Sequence, residues 1–541
     1  MRPILAVLMQ SRVLLRELTR VRLRVASSPH KRRPGMRRAA LATLTGLSLA
    51  AATLAAVPTA AAAGPADAKL ARLVTLKNVR HHQLNLQKIA DANGGNRAAG
   101  LPGNTVTIKY LADQLKRAGY SPVVQKFTFD FWQQTAEPVF AETAPEQKTF
   151  APDTDYATLQ YSGSGDVTAP AAPVDSGATG LGSGCEADDF AGFPAGAIAL
   201  IQRGGCFFSV KADNAIAAGA SAVVIYQLPD QPGPVGGTLT KPYGIPVVGP
   251  TNAVGKALVE QANNGGVTLR VKTQTLNEKR ETANVIADTE RGRPGNIVVV
   301  GAHNDSVTDG PGINDDGSGT ATLLEMAKQI NKLGSKVRNK VRFAFWGAEE
   351  EGLLGSQYYV DTLPQAERDK IALMLDFDML ASPNYVNFVY DGDDSAGENN
   401  VEPPAGSGAI EKAFTDYFAS RGLATDPTPF NGRSDYNAFI TAGIPAGGVF
   451  TGAEGIKTPA QAAVYGGTAG VAYDPCYHAA CDRYDNVNLK GFDQMIDATA
   501  AVTQLFAHST LTVNGNELAR RAPAQAAKRT VPDEIGTYAT R

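Results

Sequence analysis

The chain has 541 residues, 43% apolar and 19% charged, enough to build a core in each of two to four domains of about 150 residues and too apolar to be disordered throughout. Its formal net charge of −2 is uneven: residues 1–38 hold 11 Arg/Lys and one acid, residues 39–63 hold no charge, and the remainder carries 40 basic against 52 acidic residues. An acidic body lacks the electrostatic footprint of a nucleic-acid or anionic-membrane binder.

At the start of the chain, Arg37 and Arg38 precede an uncharged run from Ala39 to Val57 and the small residues Ala60–Ala63. Basic, apolar, then small is the order of a secretory signal. Residues 1–63 are read as that region, with Met36 as an alternative start, and a membrane anchor is the competing reading. No other apolar run reaches 18 residues, so no membrane span is expected after cleavage.

Apolar spacing predicts helices over Ala68–Gln87 and Thr105–Ala118, separated by the loop Asn93–Gly103, and alternation predicts a strand over Val123–Phe129. The character then changes. Residues 137–277 are rich in Gly, Ala and Pro and short β-like runs, with strands expected at Ala197–Gln202 and Ala222–Tyr226 around a helix Ser209–Ala218. From about Thr282, short apolar strands (Ile297–Val300, Val341–Phe345, Leu373–Phe377, Val386–Tyr390, Gly447–Phe450) alternate with helices (Thr320–Lys332, Ala409–Ser420, Phe492–His508). This alternation implies an α/β domain with a mixed, mostly parallel sheet flanked by helices. The expected organisation is an α/β domain in two segments, 64–136 and 278–508, an insertion over 137–277, and a polar, disordered tail over 509–541.

The cysteines are Cys185, Cys206, Cys476 and Cys481. In an exported chain an even count reads as disulfides, and the short separations suggest Cys185–Cys206 and Cys476–Cys481. No C-x₂-C spacing supports a four-cysteine zinc site.

The chemistry-bearing residues follow the strands. Ile297–Val300 runs into Gly-Ala-His303-Asn-Asp305. Asn314-Asp315-Asp316-Gly-Ser-Gly opens a helix. The next strand ends in Trp346-Gly-Ala-Glu349-Glu350-Glu351, the one after in Asp376-Phe-Asp378, and Cys476-Tyr477-His478 lies near the end of the domain. Each has a plain reading: a strand-end histidine, a helix cap, an acidic run at a helix start, a histidine in a disulfide loop. Asp378 is the least plain, because a buried carboxylate without a partner is costly. Together, two imidazoles and several carboxylates on the edge where α/β sheets bind ligands form a zinc-type ligand field. Five ligands exceed one tetrahedral zinc and suit two metals roughly 3.5–4 Å apart that share a carboxylate and a bridging water, with one further carboxylate kept free as a base.

GAHNDS, GPGINDDGSG, FWGAEEEGLLGS, DFDM and CYHAACD, in this order, resemble the secreted bacterial double-zinc aminopeptidases, whose peptidase core is also that of the vacuolar aminopeptidase Y. The resemblance covers about residues 67–130 and 278–505. It implies two zinc ions held by His303, Asp315, Glu350, Asp378 and His478, with Asp315 as the bridge. Glu349 would be the general base acting on a zinc-bridging water, and the peptide after Asp315 would be cis. Tyr477 resembles the family's oxyanion donor, and Arg433 and Asp435 resemble a segment lining the substrate site. Pro194–Phe208 and Ala217–Tyr226 resemble a protease-associated domain, a small β-rich module that covers or restricts the cleft of such peptidases. A structural calcium found in some secreted relatives is disfavoured: Asp493 and Asp497 stand one helical turn apart, but Leu73 occupies the position of their carboxylate partner.

The implied protein is a secreted, extracellular, monomeric metallo-aminopeptidase acting on peptides with a free N-terminus. A double-zinc carboxypeptidase or deacylase shares the metal core, a single-zinc glutaminyl cyclase does not need the full ligand set, and a non-catalytic receptor-like ectodomain would have lost ligands.

Overall fold

A computed structural model of the chain describes residues 68–174, 183–229 and 231–515. The signal region and Met36 lie outside the described residues, as does the tail from residue 516. The first predicted helix is two. Lys69–Leu73 stops at buried Val74, and Thr75 caps a second helix, Leu76–Ala92, by accepting from the Asn78 N–H. The Leu/Val spacing runs through the break, and the cap decides where the helix restarts. A third helix, Pro102–Arg117, leads into β1 (Val123–Gln134).

The chain then leaves this sheet for eight further strands: β2 (Val139–Ala144), β3 (Lys148–Thr149), β4 (Tyr156–Thr158), β5 (Gly165–Pro173), β6 (Ile198–Gln202), β7 (Ala222–Tyr226), β8 (Val247–Pro250) and β9 (Thr268–Thr273). It returns as β10 (Thr275–Asp288), antiparallel to β1 from Val123↔Ile286 to Gln134↔Thr275. The Thr135 N–H donates to Gln274 O at 2.8 Å, so the extra strands grow from the tip of a continuous hairpin.

The remaining strands are β11 (Arg293–His303), β12 (Asn339–Trp346), β13 (Ile371–Asp376), β14 (Phe388–Tyr390), β15 (Asp426–Thr428) and β16 (Ala446–Phe450). Among the described residues they form an eight-stranded sheet with β1 and β10, in the order β1-β10-β12-β11-β13-β16-β14-β15. The central strands β12, β11, β13 and β16 are parallel. Both faces are covered, which explains why Ile297–Val300 is apolar without alternation. Val298 and Val300 face the helices Gly317–Ile330 and Leu489–His508. Ile297 and Val299 face Tyr359, Phe439 and Trp346.

The second sheet runs β3-β2-β9-β5-β6-β7-β8-β4, with β5 to β8 parallel and helices Phe208–Ala217 and Asn252–Asn264 packed against it. Cys185–Cys206 and Cys476–Cys481 are both bonded. Among the described residues no helix is long and apolar enough to cross a membrane.

The expected disorder after Ser509 is corrected over its first residues. Leu511–Asn514 is a helical turn, Val513 is buried, and Thr510 Oγ1 accepts from Asn296 Nδ2 at 2.9 Å. One apolar anchor and two polar ties to Asn296 hold a stretch whose average composition hid them.

Candidate metal site

His303 is the last residue of β11. Glu349 and Glu350 follow β12 after Gly347 and Ala348, where a positive φ at Ala348 turns the chain over the sheet edge. Asp378 lies just beyond β13, which ends at Asp376. The backbone must turn there because Met379 N–H and Gly319 N–H both donate to Asp316 Oδ1, at 3.1 and 2.8 Å. Asp316 thus caps helix Gly317–Ile330 and also accepts from His303 N–H at 3.2 Å. A Cβ on Gly319 would lie 1.8 Å from Phe377 O, so glycine lets the helix start close against the end of β13. The Asp315–Asp316 peptide is cis.

With Asp316 occupied by backbone, Asp315 faces the imidazoles. Its Oδ1 is 3.1 Å from His303 Nε2 and its Oδ2 is 3.2 Å from His478 Nε2. Asp378 Oδ1 is 3.7 Å from the same nitrogen of His303, and Glu350 Oε2 is 2.9 Å from His478 Nε2. The five predicted ligands are therefore brought together. His478 reaches them from a loop closed by Cys476–Cys481, with φ of 55° and its ring stacked on Tyr477 at 3.8 Å. Next to that disulfide, Asp482 accepts the Asn314 and Asp315 N–H groups at 2.8 and 3.0 Å. The disulfide loop and the double-aspartate turn are thereby one assembly.

Glu349 is buried, with Oε2 4.0 Å from His303 Nε2. Burial, then Asp378 and Glu350, push its carboxyl well above the usual range against the opposing pull of His303. Burial would lower the pKa of both histidines. Glu349 and the aspartates around His303 reverse this and hold it well above its ordinary value, while Glu350 and Asp315 lift His478 to about 10. Burial also opposes ionisation of Asp315, but its bonds to the two imidazoles hold it below the usual carboxylate range.

The donor set fits a metal. Asp378 Oδ1, Glu350 Oε1 and the Nδ1 atoms of both histidines are buried without a hydrogen-bond partner in the protein. Buried oxygens of this kind are suited to a cation. Two overlapping groups of possible ligands share His303: His303, Asp315 and Glu350 in one, and His303, Asp316 and Asp378 in the other.

Around these ligands, the supporting contacts were not foreseen from the sequence. Asp305 fixes the acidic loop by accepting the Glu349 and Glu350 N–H groups, at 3.2 and 3.4 Å. Ser434 Oγ lies 2.7 Å from Asp376 Oδ2 and 2.8 Å from Asp378 Oδ2, tying the loop before helix Tyr436–Thr441 to the end of β13. Asp376, charged in an apolar strand, was the available signal. Its neighbour across the turn, Asp435, is buried and pushed well above the usual carboxylate range by burial and by Asp376. Arg433 donates through Nη1 to Glu454 at 2.6 Å and through Nη2 to the Tyr477 hydroxyl at 3.2 Å. Glu351 precedes the following helix, which begins at Leu354; its Oε2 accepts from Gln160 Nε2 of the inserted segment at 2.8 Å. At the disfavoured calcium position, Arg421 Nη2 lies 3.5 Å from Asp497, so a guanidinium accompanies that carboxylate.

The sequence profile of Peptidase family M28 matches residues 284–503, and that of the PA domain matches residues 167–258. An aminopeptidase of Pseudomonas aeruginosa is 45% identical over 465 residues, 84% of this chain and 85% of that protein. The chain belongs to peptidase family M28. A probable leucine aminopeptidase 2 of Aspergillus fumigatus is 42% identical over 81% of this chain and 85% of its own length. Among solved structures, an aminopeptidase from Aneurinibacillus sp. strain AM-1 superposes with a TM-score of 0.64 at 27% identity, covering 84% of this chain and 97% of that one. A zinc aminopeptidase from Bacillus subtilis gives 0.55 at 26% identity, covering 80% and 94%. The expected family, the α/β fold with its inserted PA domain, and a hydrolase of the aminopeptidase type acting on peptide bonds are borne out.

Proposed function

We propose that this M28 peptidase is a secreted zinc aminopeptidase that binds two zinc ions and removes N-terminal residues from peptides with a free N-terminus. One observation carries the reading: Asp315 presents one oxygen to each of two imidazoles that come from loops far apart in sequence. His303 and Asp378 would hold one ion, Glu350 and His478 the other, with Asp315 shared. When bound, the ions supply Lewis-acid polarisation of the scissile carbonyl and acidify water.

The chain's own residues do the rest. Glu349 takes the proton of the attacking water and delivers it to the leaving amine. It suits a shuttle because its carboxylate is buried beside His303 while Asp305 fixes its backbone. Tyr477 keeps its proton, since burial and Asp315 raise its pKa despite Arg433. Because the Tyr477 oxygen accepts from Arg433, its hydroxyl hydrogen is left to donate to the developing oxyanion. Arg433 is thus placed to orient Tyr477 at the substrate-facing side of the site. The two disulfides support export; we take the insertion, expected over 137–277, to end before Thr275, where β10 rejoins the first sheet, and the unit to be a monomer.

Elemental analysis of the purified protein should find close to two zinc per chain, and chelation should abolish hydrolysis of aminoacyl p-nitroanilides but not of any contaminating activity on blocked termini. Full activity with one zinc or none sinks the two-ion reading.

A further inference from the structure

The loop Asn93–Gly103 carries one arginine among small residues, and that arginine is fully buried beneath the site. Arg97 donates through Nε to Pro311 O at 2.9 Å, through Nη1 to Asn304 O at 2.5 Å and through Nη2 to Gly312 O at 2.6 Å. Its backbone N–H donates to Ser306 Oγ at 2.9 Å, and Asn96 Nδ2 donates to Thr308 O at 3.0 Å. The segment 304–312 is therefore wrapped around one guanidinium, and its two ends carry His303 and Asp315. Gly312 has φ of 59°, and a Cβ there would lie 2.5 Å from Ser306 Cβ and 3.1 Å from Arg97 Nη2. The loop has been fitted to this side chain.

A cation sealed from water among carbonyls is expensive unless its surroundings compensate it. Three carbonyl dipoles do so by contact, and Asp305, Asp316, Asp482 and Asp315 do so through their field. The planar fork is what the geometry uses, because three carbonyls lie in three directions that a single ammonium could not serve together.

We propose that Arg97 is a positioning residue for the metal site, holding the His303–Asp315 loop in its ligating shape. The inference rests on the proposed zinc reading. An electrostatic and a geometric effect oppose each other, which makes the test sharp. As a mere positive charge Arg97 would repel zinc, so its removal would tighten binding. As a clamp, its removal loosens binding.

The experiment measures zinc affinity by competition with a chromogenic chelator, together with melting of the zinc-free and zinc-loaded protein, for wild type, Arg97→Gln and Arg97→Lys. Both variants should bind zinc at least tenfold more weakly than wild type, with activity partly restored by excess zinc. The two should resemble each other, because lysine keeps the charge and loses the fork. Unchanged or tighter zinc binding, with melting lowered equally in both forms, overturns the proposal, and so does a lysine variant that behaves as wild type. If Arg97→Gln does not fold, Ser306→Ala removes one tether without touching the charge and should weaken zinc in the same direction by a smaller factor; no weakening overturns the clamp. Wild type that takes up no zinc in this assay would instead remove the zinc reading itself.

Discussion

The two eight-stranded sheets of this chain are built alike and do different things. Each has four adjacent parallel strands with helices packed against them. In the first, β11 ends in His303, β12 runs on into Glu349 and Glu350, and β13 ends in Asp376 and runs on into Asp378. In the second, β6 runs into Arg203-Gly-Gly-Cys206, β7 into Gln227-Leu-Pro, and β8 into Thr251-Asn252; residues 137–277 contain no histidine. The same sheet physics yields a scaffold in both cases. The residues placed after the strand ends decide whether that edge can hold a metal.

The largest effect should come from the acidic loop of the first sheet. Glu349→Gln should keep the fold and the zinc while kcat falls by on the order of 10²–10⁴, the usual worth of general acid–base catalysis. Glu350→Gln should lose zinc, and excess zinc should restore part of its rate. Metal content and kcat measured on both variants decide the assignment; the reverse pattern would exchange the two roles.

A smaller effect should come from the place where the two sheets communicate. Because Gln134 pairs with Thr275, the insertion can be cut from the β1–β10 hairpin and replaced by a short turn. The shortened protein should still hydrolyse small chromogenic substrates, several-fold more slowly, and handle long peptides differently. Gln160→Ala should reproduce the several-fold loss without the change in peptide length preference, since it removes only the bond to Glu351. Glu351→Gln should match Gln160→Ala, because it removes the same bond. If the excised protein folds and cleaves no small substrate, the insertion belongs to the catalytic site.

The smallest effect separates the two cores by pH. In the first, burial works against Glu325, but hydrogen bonds from His82, Gln329 and Asn78 hold it at about 2. Its contribution is complete above its ordinary value of 4.5 and is lost as pH falls toward 2. In the second, burial drives Lys211 down to about 8, where it donates to Ser183 O. There the folded state binds fewer protons than the unfolded one, so stability rises between pH 8 and 10.5. Glu325→Gln should flatten the acid limb of the first core's melting curve and leave the alkaline limb of the second unchanged, as read by calorimetry.

Much of the site was legible in the sequence because its donors follow apolar strands directly. His303, Glu349, Glu350 and Asp378 were placed by counting from the ends of β11, β12 and β13. Both disulfides were readable because each closes a short loop. The helix break at Thr75 was harder, since the apolar spacing continues across it and only a side-chain cap marks it. The anchored turn Leu511–Asn514 was hidden because one buried valine does not alter the composition of a polar tail.

What the sequence determined by itself are the elements and the chemical types at their ends, because periodicity, caps and turn residues act within a few positions. What only the tertiary structure decided are the partners. Asp315 faces two imidazoles while its neighbour Asp316 turns to the backbone; the two side chains are identical, and packing of helix Gly317–Ile330 against β13 separates their roles. Gln160 meets Glu351 across 191 residues and Arg97 meets Asn304 across 207. Such contacts exist only once the sheet has brought its loops to one edge, so no local pattern in the chain could announce them.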